Sequence, residues 1–222
     1  MKVVMVGGVA GGASAAARLR RLDEQAEIVV FERSGYISYA NCGLPYYIGG
    51  TIEDPEDLTL QTPESFYSRF RVDMRVHHEV TAIHPEKKTV SVRDLETGKE
   101  FEENYDKLIL SPGAKPTQPE LPGAGIDKLF TLRTVEDCFK IRNYVVEKKP
   151  KSAVLAGGGF ISLELAENLR ELGLDVTIVQ RPRQLMNPFD SDMAAYIHNQ
   201  MRRHGVKLAL GFTVEGFGEK DG

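Results

Sequence analysis

The sequence has almost no cysteine: two among 222 residues, Cys42 and Cys138. Two cysteines cannot build a disulfide framework or a zinc set, and such sparing use fits a reducing, cytoplasmic compartment. A basic excess is also missing. The formal net charge is −4 and the pI about 5.8, so no nucleic-acid partner is expected. No apolar run is long enough to span a bilayer, so no membrane partner is expected either. The five histidines, His77, His78, His84, His198 and His204, carry no convincing ligand spacing. His77 and His78 are adjacent and would point to opposite faces of a strand. No metal site is expected.

What is present is an alternation of short apolar runs and helical patterns, with 41% hydrophobic residues to build a core. Met1-Lys2 followed by an apolar run has the look of a signal peptide. It reads better as a strand over 2–6 and a Gly/Ala turn, because Arg18, Arg20 and Arg21 follow in helical register. The pattern predicts a helix over 13–22, a strand over 27–31, and a helix started by Thr62 and Pro63. Residues 73–104 read as a small antiparallel insert, and 107–110 as a buried strand. Residues 112–126 hold four prolines and three glycines and form the expected linker. Beyond it come a helix over 134–147, a strand over 152–156, a glycine turn, a helix over 161–172 capped by Gly173, and a strand over 176–179. A helix over 190–204 and strands at 206–210 and 213–214 complete the pattern. The fold class is α/β: two tandem Rossmann-like dinucleotide-binding units with an antiparallel β insert. The first is expected over 1–118 and the second over 119–222. The second unit stops short of the strands a doubly wound sheet needs, so a truncated piece of a longer protein is expected.

Two glycine loops carry the nucleotide chemistry. In the first, Gly7 makes the tight turn and Gly12 permits close helix–strand packing. The helix N-terminus then points free N–H groups at a pyrophosphate. Glu32 ends the next strand, where an acid binds ribose hydroxyls. Val9 replaces the middle glycine, and registers through Gly8 or Gly11 are equally readable. Taken alone, the loop is also compatible with a plain βαβ turn. The second loop, Gly157-x-Gly159-x-x-Ser162, fits the fingerprint better, with Glu164 just inside its helix. Its following strand ends at Gln180-Arg181-Pro182-Arg183, with no carboxylate at 180. Arg181 and Arg183 could hold a 2′-phosphate, or be solvated loop charges. Two such units in one chain suggest a flavin in the first and a nicotinamide in the second.

Cys42 lies in Ser38-Tyr39-Ala40-Asn41-Cys42-Gly43-Leu44-Pro45-Tyr46, soon after the first unit's strand–loop–helix–strand set. At the start of a short helix running through Tyr46 to Ile48, it would be stabilised as thiolate, the attacking species in disulfide exchange. An inert buried small residue is the alternative. Asn41 and Ser38 can donate hydrogen bonds to a thiol substrate or to the sulfur, while Tyr39 and Tyr46 shape the cleft. Ser14, Arg18 and Arg21 share one helical face, with Ala15, Leu19 and Leu22 directed toward the sheet. That face could clamp a phosphorylated ligand or simply be solvated. Cys138, in a helix without a motif, reads as structural.

These segments resemble the single-cysteine pyridine nucleotide–disulfide oxidoreductases. The matching stretches are Val6 to Ser14, Phe31-Glu32-Arg33, Ser38 to Tyr46, Tyr105 to Gly113, and Gly157 to Glu164. Within the family the chain is most similar to coenzyme A-disulfide reductases and to persulfide reductases that carry a rhodanese domain. The resemblance implies FAD held by Gly7, Gly8, Val9, Ala10, Gly11, Gly12, Glu32, Arg33, Ser111, Pro112 and Gly113. It implies NAD(P)H at Gly157, Gly159, Ser162, Glu164, Gln180 and Arg181. It makes Cys42 the redox nucleophile, aided by Ser38 and Asn41, with coenzyme A on Ser14, Arg18, Arg21, Ser38 and Asn41. It also implies a homodimer at full length. A lysine that some members place after the Thr-Pro-Glu helix falls on Phe70 here, flanked by Arg69 and Arg71. An NAD(P)H oxidase or peroxidase cycling Cys42 through sulfenic acid is the alternative enzyme, and a nucleotide-binding redox sensor the alternative of another class.

Overall fold

β-Branched residues cluster in several of the strands, and the helices that follow Thr62 and Thr134 start at recognisable cap signals. The computed structural model describes residues 1–117 and 120–219. β1 (Lys2–Val6), α1 (Ala10–Leu22), β2 (Glu27–Phe31) and β3 (Ile37–Tyr39) lead to a 3-10 turn over Asn41–Gly43 and to α2 (Leu44–Gly49). β4 (Thr59–Gln61) and α3 (Pro63–Phe70) follow, then β5 (Asp73–Arg75), β6 (His78–His84), β7 (Thr89–Asp94), β8 (Glu100–Asn104) and β9 (Lys107–Leu110). The remainder comprises α4 (Val135–Lys148), β10 (Ser152–Ala156), α5 (Phe160–Glu171), β11 (Asp175–Gln180), α6 (Ser191–Arg203) and β12 (Lys207–Leu210).

The elements gather into two compact units. The first comprises Met1–Ala40 with Glu56–Lys115. Its parallel sheet has the order β5-β2-β1-β9, with Val4 beside Val29 and Leu108. Strand side chains alternate between faces, and here the two faces feed two cores. Val3, Met5, Ile28 and Val30 pack with Ala13 and Ala16 of α1 and Phe66 of α3. Val4, Val29 and Phe31 pack instead with Val90 and Val92 of the antiparallel sheet β6-β7-β8. Burying each such side chain contributes roughly 1.5–3 kcal/mol.

The second unit comprises Asn41–Pro55 with the chain from Pro116 onward. Its parallel sheet has the order β10-β11-β12, with Val176 and Ile178 fully buried. α2 packs on α4 and α5 of this unit. The division expected at 118/119 involves Gln118 and Pro119, and so lies outside the described residues.

Three local expectations are corrected. No strand forms at Thr213–Val214: β12 ends where Gly211 turns left-handed and donates its N–H to the Gln180 and Pro182 carbonyls. Leu22 does not face the sheet; it is 67% exposed. The end of α1 is held instead by Arg20, whose guanidinium donates to the carbonyls of Phe70, Arg71, Asp23 and Glu24. His77 is not in a strand. It occupies a left-handed turn with φ 55° ahead of β6, while His78 starts that strand. Among the described residues no cluster of three or more His, Cys, Asp or Glu side chains suits a metal, and no helix is long and apolar enough to cross a membrane.

Candidate functional site

The two glycine loops are built alike. Gly7 donates its N–H to Phe31 O, and Gly157 donates to Val179 O, each at 2.8 Å. Both glycines have positive φ, 97° and 112°. The next residue along bonds to the side chain that ends the following strand. Gly8 N–H donates to Glu32 Oε2 at 2.8 Å, and Gly158 N–H to Gln180 Oε1 at 3.1 Å. One unit therefore sets a carboxylate where the other sets a neutral amide.

The first loop is crowded by its own backbone. A Cβ on Gly7 would stand 2.1 Å from Ser111 O, and one on Gly12 would stand 1.8 Å from Gly7 O. Ser111, Pro112 and Gly113 follow β9, and Ser111 N–H donates to Val6 O, which seats that segment against the loop. Ser38 N–H donates to Gly8 O, and Ser38 itself is left-handed with φ 46°. Glu32 is buried; its other oxygen accepts from Ser34 N–H at 2.9 Å. Each carboxylate oxygen keeps lone-pair capacity for a hydroxyl donor. Arg33 is exposed.

The helix N-termini give a sharper signal. α3 and α4 start with full capping boxes, Thr62 with Ser65 and Thr134 with Asp137. α1 starts at Val9 and α5 at Gly159, without a side-chain cap and without an acid in the first turn. Their leading N–H groups are left for an anion, at the two places where the loops would put a pyrophosphate. In the second loop a Cβ on Gly159 would meet nothing within 4 Å, so the open space lies beside that uncapped end. Ser162 is half-buried in the first turn of α5. Glu164, a little further on, accepts at its carbonyl from Asn168 Nδ2 at 2.8 Å. Arg181 and Arg183 are exposed. These residues fit a flavin dinucleotide in the first unit and a nicotinamide dinucleotide in the second.

Cys42 is exposed, in the 3-10 turn that runs into α2, with Pro45 in the first turn of that helix. The turn is anchored from far along the chain. Arg133 Nη1 donates to Asn41 Oδ1 at 3.3 Å, Arg142 Nη1 to Ile48 O at 2.7 Å, and Cys138 Sγ to Leu44 O at 3.2 Å. Gly49 lets Asn168 of α5 approach, since a Cβ there would meet Asn168 Oδ1 at 2.1 Å. Arg133 was not legible as a partner of Asn41: they are 92 residues apart, and only the Thr134 cap signal lay nearby. Burial pushes the Tyr46 phenol up, helped by Glu167, Glu164, Cys42 and Glu171.

Cys138 is a different kind of thiol. It is fully buried, and burial pushes it up to about 12 against a smaller lowering by Arg142. Iodoacetamide at pH 8 is expected to label Cys42 and spare Cys138 until the chain is unfolded. Peptide mass mapping reads the outcome, and equal labelling of Cys138 in the folded chain would contradict it.

The thiol-site residues predicted from sequence are divided between the units: Ser14, Arg18, Arg21 and Ser38 in the first, Asn41 and Cys42 in the second. Ser14, Arg18 and Arg21 are all exposed. Among the described residues neither Arg18 nor Arg21 is paired with a carboxylate, and Arg21 spends one donor on Ala17 O. The contrast with Arg20, fully committed to backbone carbonyls, separates an available cationic face from a structural arginine.

The family described as pyridine nucleotide-disulphide oxidoreductase matches residues 1–222. Coenzyme A disulfide reductase of Staphylococcus epidermidis is 41% identical over 205 residues, covering 92% of this chain and 46% of that protein. The crystal structure of reduced Bacillus anthracis CoADR-RHD superposes with a TM-score of 0.95 at 52% identity, over 97% of this chain and 39% of that one. A NAD-dependent persulfide reductase from A. fulgidus superposes at 0.93 with 34% identity, over 100% of this chain and 42% of that one. The chain spans about half the length of the curated relatives it matches. With its two matched glycine loops and its family match along the whole sequence, this chain belongs to the pyridine nucleotide-disulphide oxidoreductases.

Proposed function

We propose that this chain is the nucleotide-binding part of a flavin-dependent, NAD(P)H-linked reductase that acts on coenzyme A disulfide through Cys42. The observation that carries the reading is the contrast between the two thiols. Cys42 is exposed on a turn anchored by Arg133, Arg142 and Cys138, while Cys138 is buried and bonded to backbone. A lone accessible thiol suits a mixed disulfide with a small thiol substrate better than an internal disulfide pair.

Gly7 to Gly12, Glu32, Arg33 and Ser111 to Gly113 would hold FAD. Gly157, Gly159, Ser162, Glu164, Gln180 and Arg181 would hold the nicotinamide dinucleotide. When bound, these groups would supply, as one hydride equivalent, the electron pair that disulfide reduction consumes. The protein's own part is the sulfur chemistry. The Cys42 thiolate attacks one sulfur of the substrate disulfide, a new S–S bond forms, and one coenzyme A leaves as thiolate. Two-electron reduction of the mixed disulfide then returns Cys42 and frees the second coenzyme A. With Asn41 Oδ1 taken by Arg133, the Nδ2 end is the one left to donate to substrate or sulfur. Gln180 commits its amide to Gly158 N–H and Gln184 O and brings no negative charge. Beside exposed Arg181 and Arg183, that neutrality favours a 2′-phosphate, hence NADPH. Similarity to a persulfide reductase supports coenzyme A persulfide as a second acceptor, with sulfide as leaving group.

The cationic face of α1 suits the phosphates of coenzyme A. Replacing Arg18 and Arg21 by alanine in the full-length protein is expected to raise the KM for coenzyme A disulfide about tenfold per residue, with the KM for NADPH unchanged. Steady-state kinetics decide it. An unchanged KM for the disulfide, with peroxide or oxygen turnover dominating, would sink the reading.

A further inference from the structure

The loop between β11 and α6 has no regular structure, yet it is tightly fastened. Met186 N–H donates to Gly158 O at 2.7 Å, and the Leu185 side chain lies against the Gly158 Cα, leaving 2.6 Å to a Cβ there. Gln180 joins the two segments, accepting from Gly158 N–H and donating to Gln184 O. Met186 is buried and held left-handed at φ 49°, a conformation that a non-glycine residue resists. The loop thus forms one wall of the second glycine turn, and it carries Arg181 and Arg183.

One side chain from outside the loop holds it in place. His198 of α6 accepts the Leu185 N–H on its Nε2 at 2.9 Å. Leu185 is fully buried, so its N–H has no access to water as a substitute partner. Accepting at Nε2 requires a neutral ring; protonation puts a donor on that nitrogen and sets two N–H groups against each other. We infer that His198 is a positioning residue for the second dinucleotide site, holding the wall of the glycine turn while neutral and releasing it when protonated. The inference rests on the reading above that this unit holds a nicotinamide dinucleotide.

The surroundings favour the neutral form. Burial, and then the Arg202 charge one turn along α6, push His198 below its ordinary 6.5. The other cations on neighbouring elements are Arg181 and Arg183 on the held loop, Lys207 on β12, which packs on α6, and Arg170 of α5, which donates to His204 O at the end of α6. Asp190 and Asp192 lie at the opposite, N-terminal end of α6. Because the folded ring is less basic than the unfolded one, its contribution is complete above about pH 6.5. It is lost as pH falls from there through the depressed value.

The test is nucleotide affinity of the full-length flavoprotein, measured calorimetrically with NADPH and with NADH between pH 8 and 5.5. NADH is included because it has no 2′-phosphate to titrate. His198→Leu removes the acceptor and is expected to weaken both nucleotides about tenfold at pH 8. His198→Gln offers a neutral acceptor that does not titrate. It is expected to restore affinity at pH 8 and to abolish the wild-type weakening below pH 6.5. Wild-type and His198→Gln proteins with the same pH profile would overturn the inference, as would His198→Leu binding like wild type. If the wild-type protein binds neither nucleotide at pH 8, the dinucleotide reading falls and the inference with it.

Discussion

Replacing Cys42 by serine in the full-length protein is expected to lower coenzyme A disulfide turnover by at least about a thousandfold. The bound flavin should remain, still reducible by NADPH. A serine hydroxyl has the shape of the thiol but cannot form the S–S bond on which the proposed cycle depends. The residues assigned to the flavin belong to the first unit, whereas the turn that carries Cys42 is held by Arg133, Cys138 and Arg142 of the second. Loss of turnover with retention of colour is therefore the specific signature. Cys138→Ala supplies the contrast. It removes a buried thiol and its bond to Leu44 O, costing about 1 kcal/mol of stability while leaving turnover near the wild-type level. A Cys42→Ser protein that still reduced disulfide would reverse the assignment of the nucleophile.

The second large effect separates fold from ligand at the glycine loops. Gly12→Ala drives a methyl onto the Gly7 carbonyl, 1.8 Å away, and neither partner is a flexible side chain. It is expected to destabilise the first unit by about 3 kcal/mol and to release the flavin. Gly159→Ala is the opposite case. Gly159 has an extended backbone, φ −92° and ψ −175°, and open space on its Cβ side. Alanine should leave Tm unchanged. The methyl nonetheless stands where a pyrophosphate would approach the uncapped start of α5, so the Kd for NADPH should rise about tenfold, equivalent to about 1.4 kcal/mol. Thermal denaturation and nucleotide titration on the same preparation read both quantities. Unchanged affinity in Gly159→Ala would remove the dinucleotide from that loop.

The elements that could be read from sequence are those whose signals are local. The first strand and helix, the Thr62-Pro63 start of α3, the Thr134 cap of α4 and both glycine loops all follow from residues within a few positions of one another. Cys42 and its short helix were legible as a motif, but their surroundings were not. The anchors of the turn come from Arg133, Cys138, Arg142 and Asn168, about a hundred residues on, and such contacts leave no periodicity. The same limit explains Leu22 and Arg20. Helical spacing directs Leu22 toward the sheet and gives Arg20 no face of its own, but only the carbonyls of Phe70 and Arg71 decide that the arginine docks while the leucine stays exposed. At 213–214 the β-forming residues had a strand's propensity, but the turn at Gly211 had already ended the sheet. The bond of His198 is invisible in the sequence because its partner is a backbone N–H, that of Leu185, which no metal-ligand spacing reveals.

The central claim is that electrons from a nicotinamide nucleotide reach a disulfide through Cys42. Anaerobic reaction of the full-length flavoprotein with NADPH and coenzyme A disulfide tests it most directly, with NADPH consumption and released thiol counted together. Two coenzyme A thiols per NADPH oxidised, lost altogether in Cys42→Ser, is the result expected. NADPH oxidation that proceeds only when oxygen is admitted, or that releases no thiol, would contradict it.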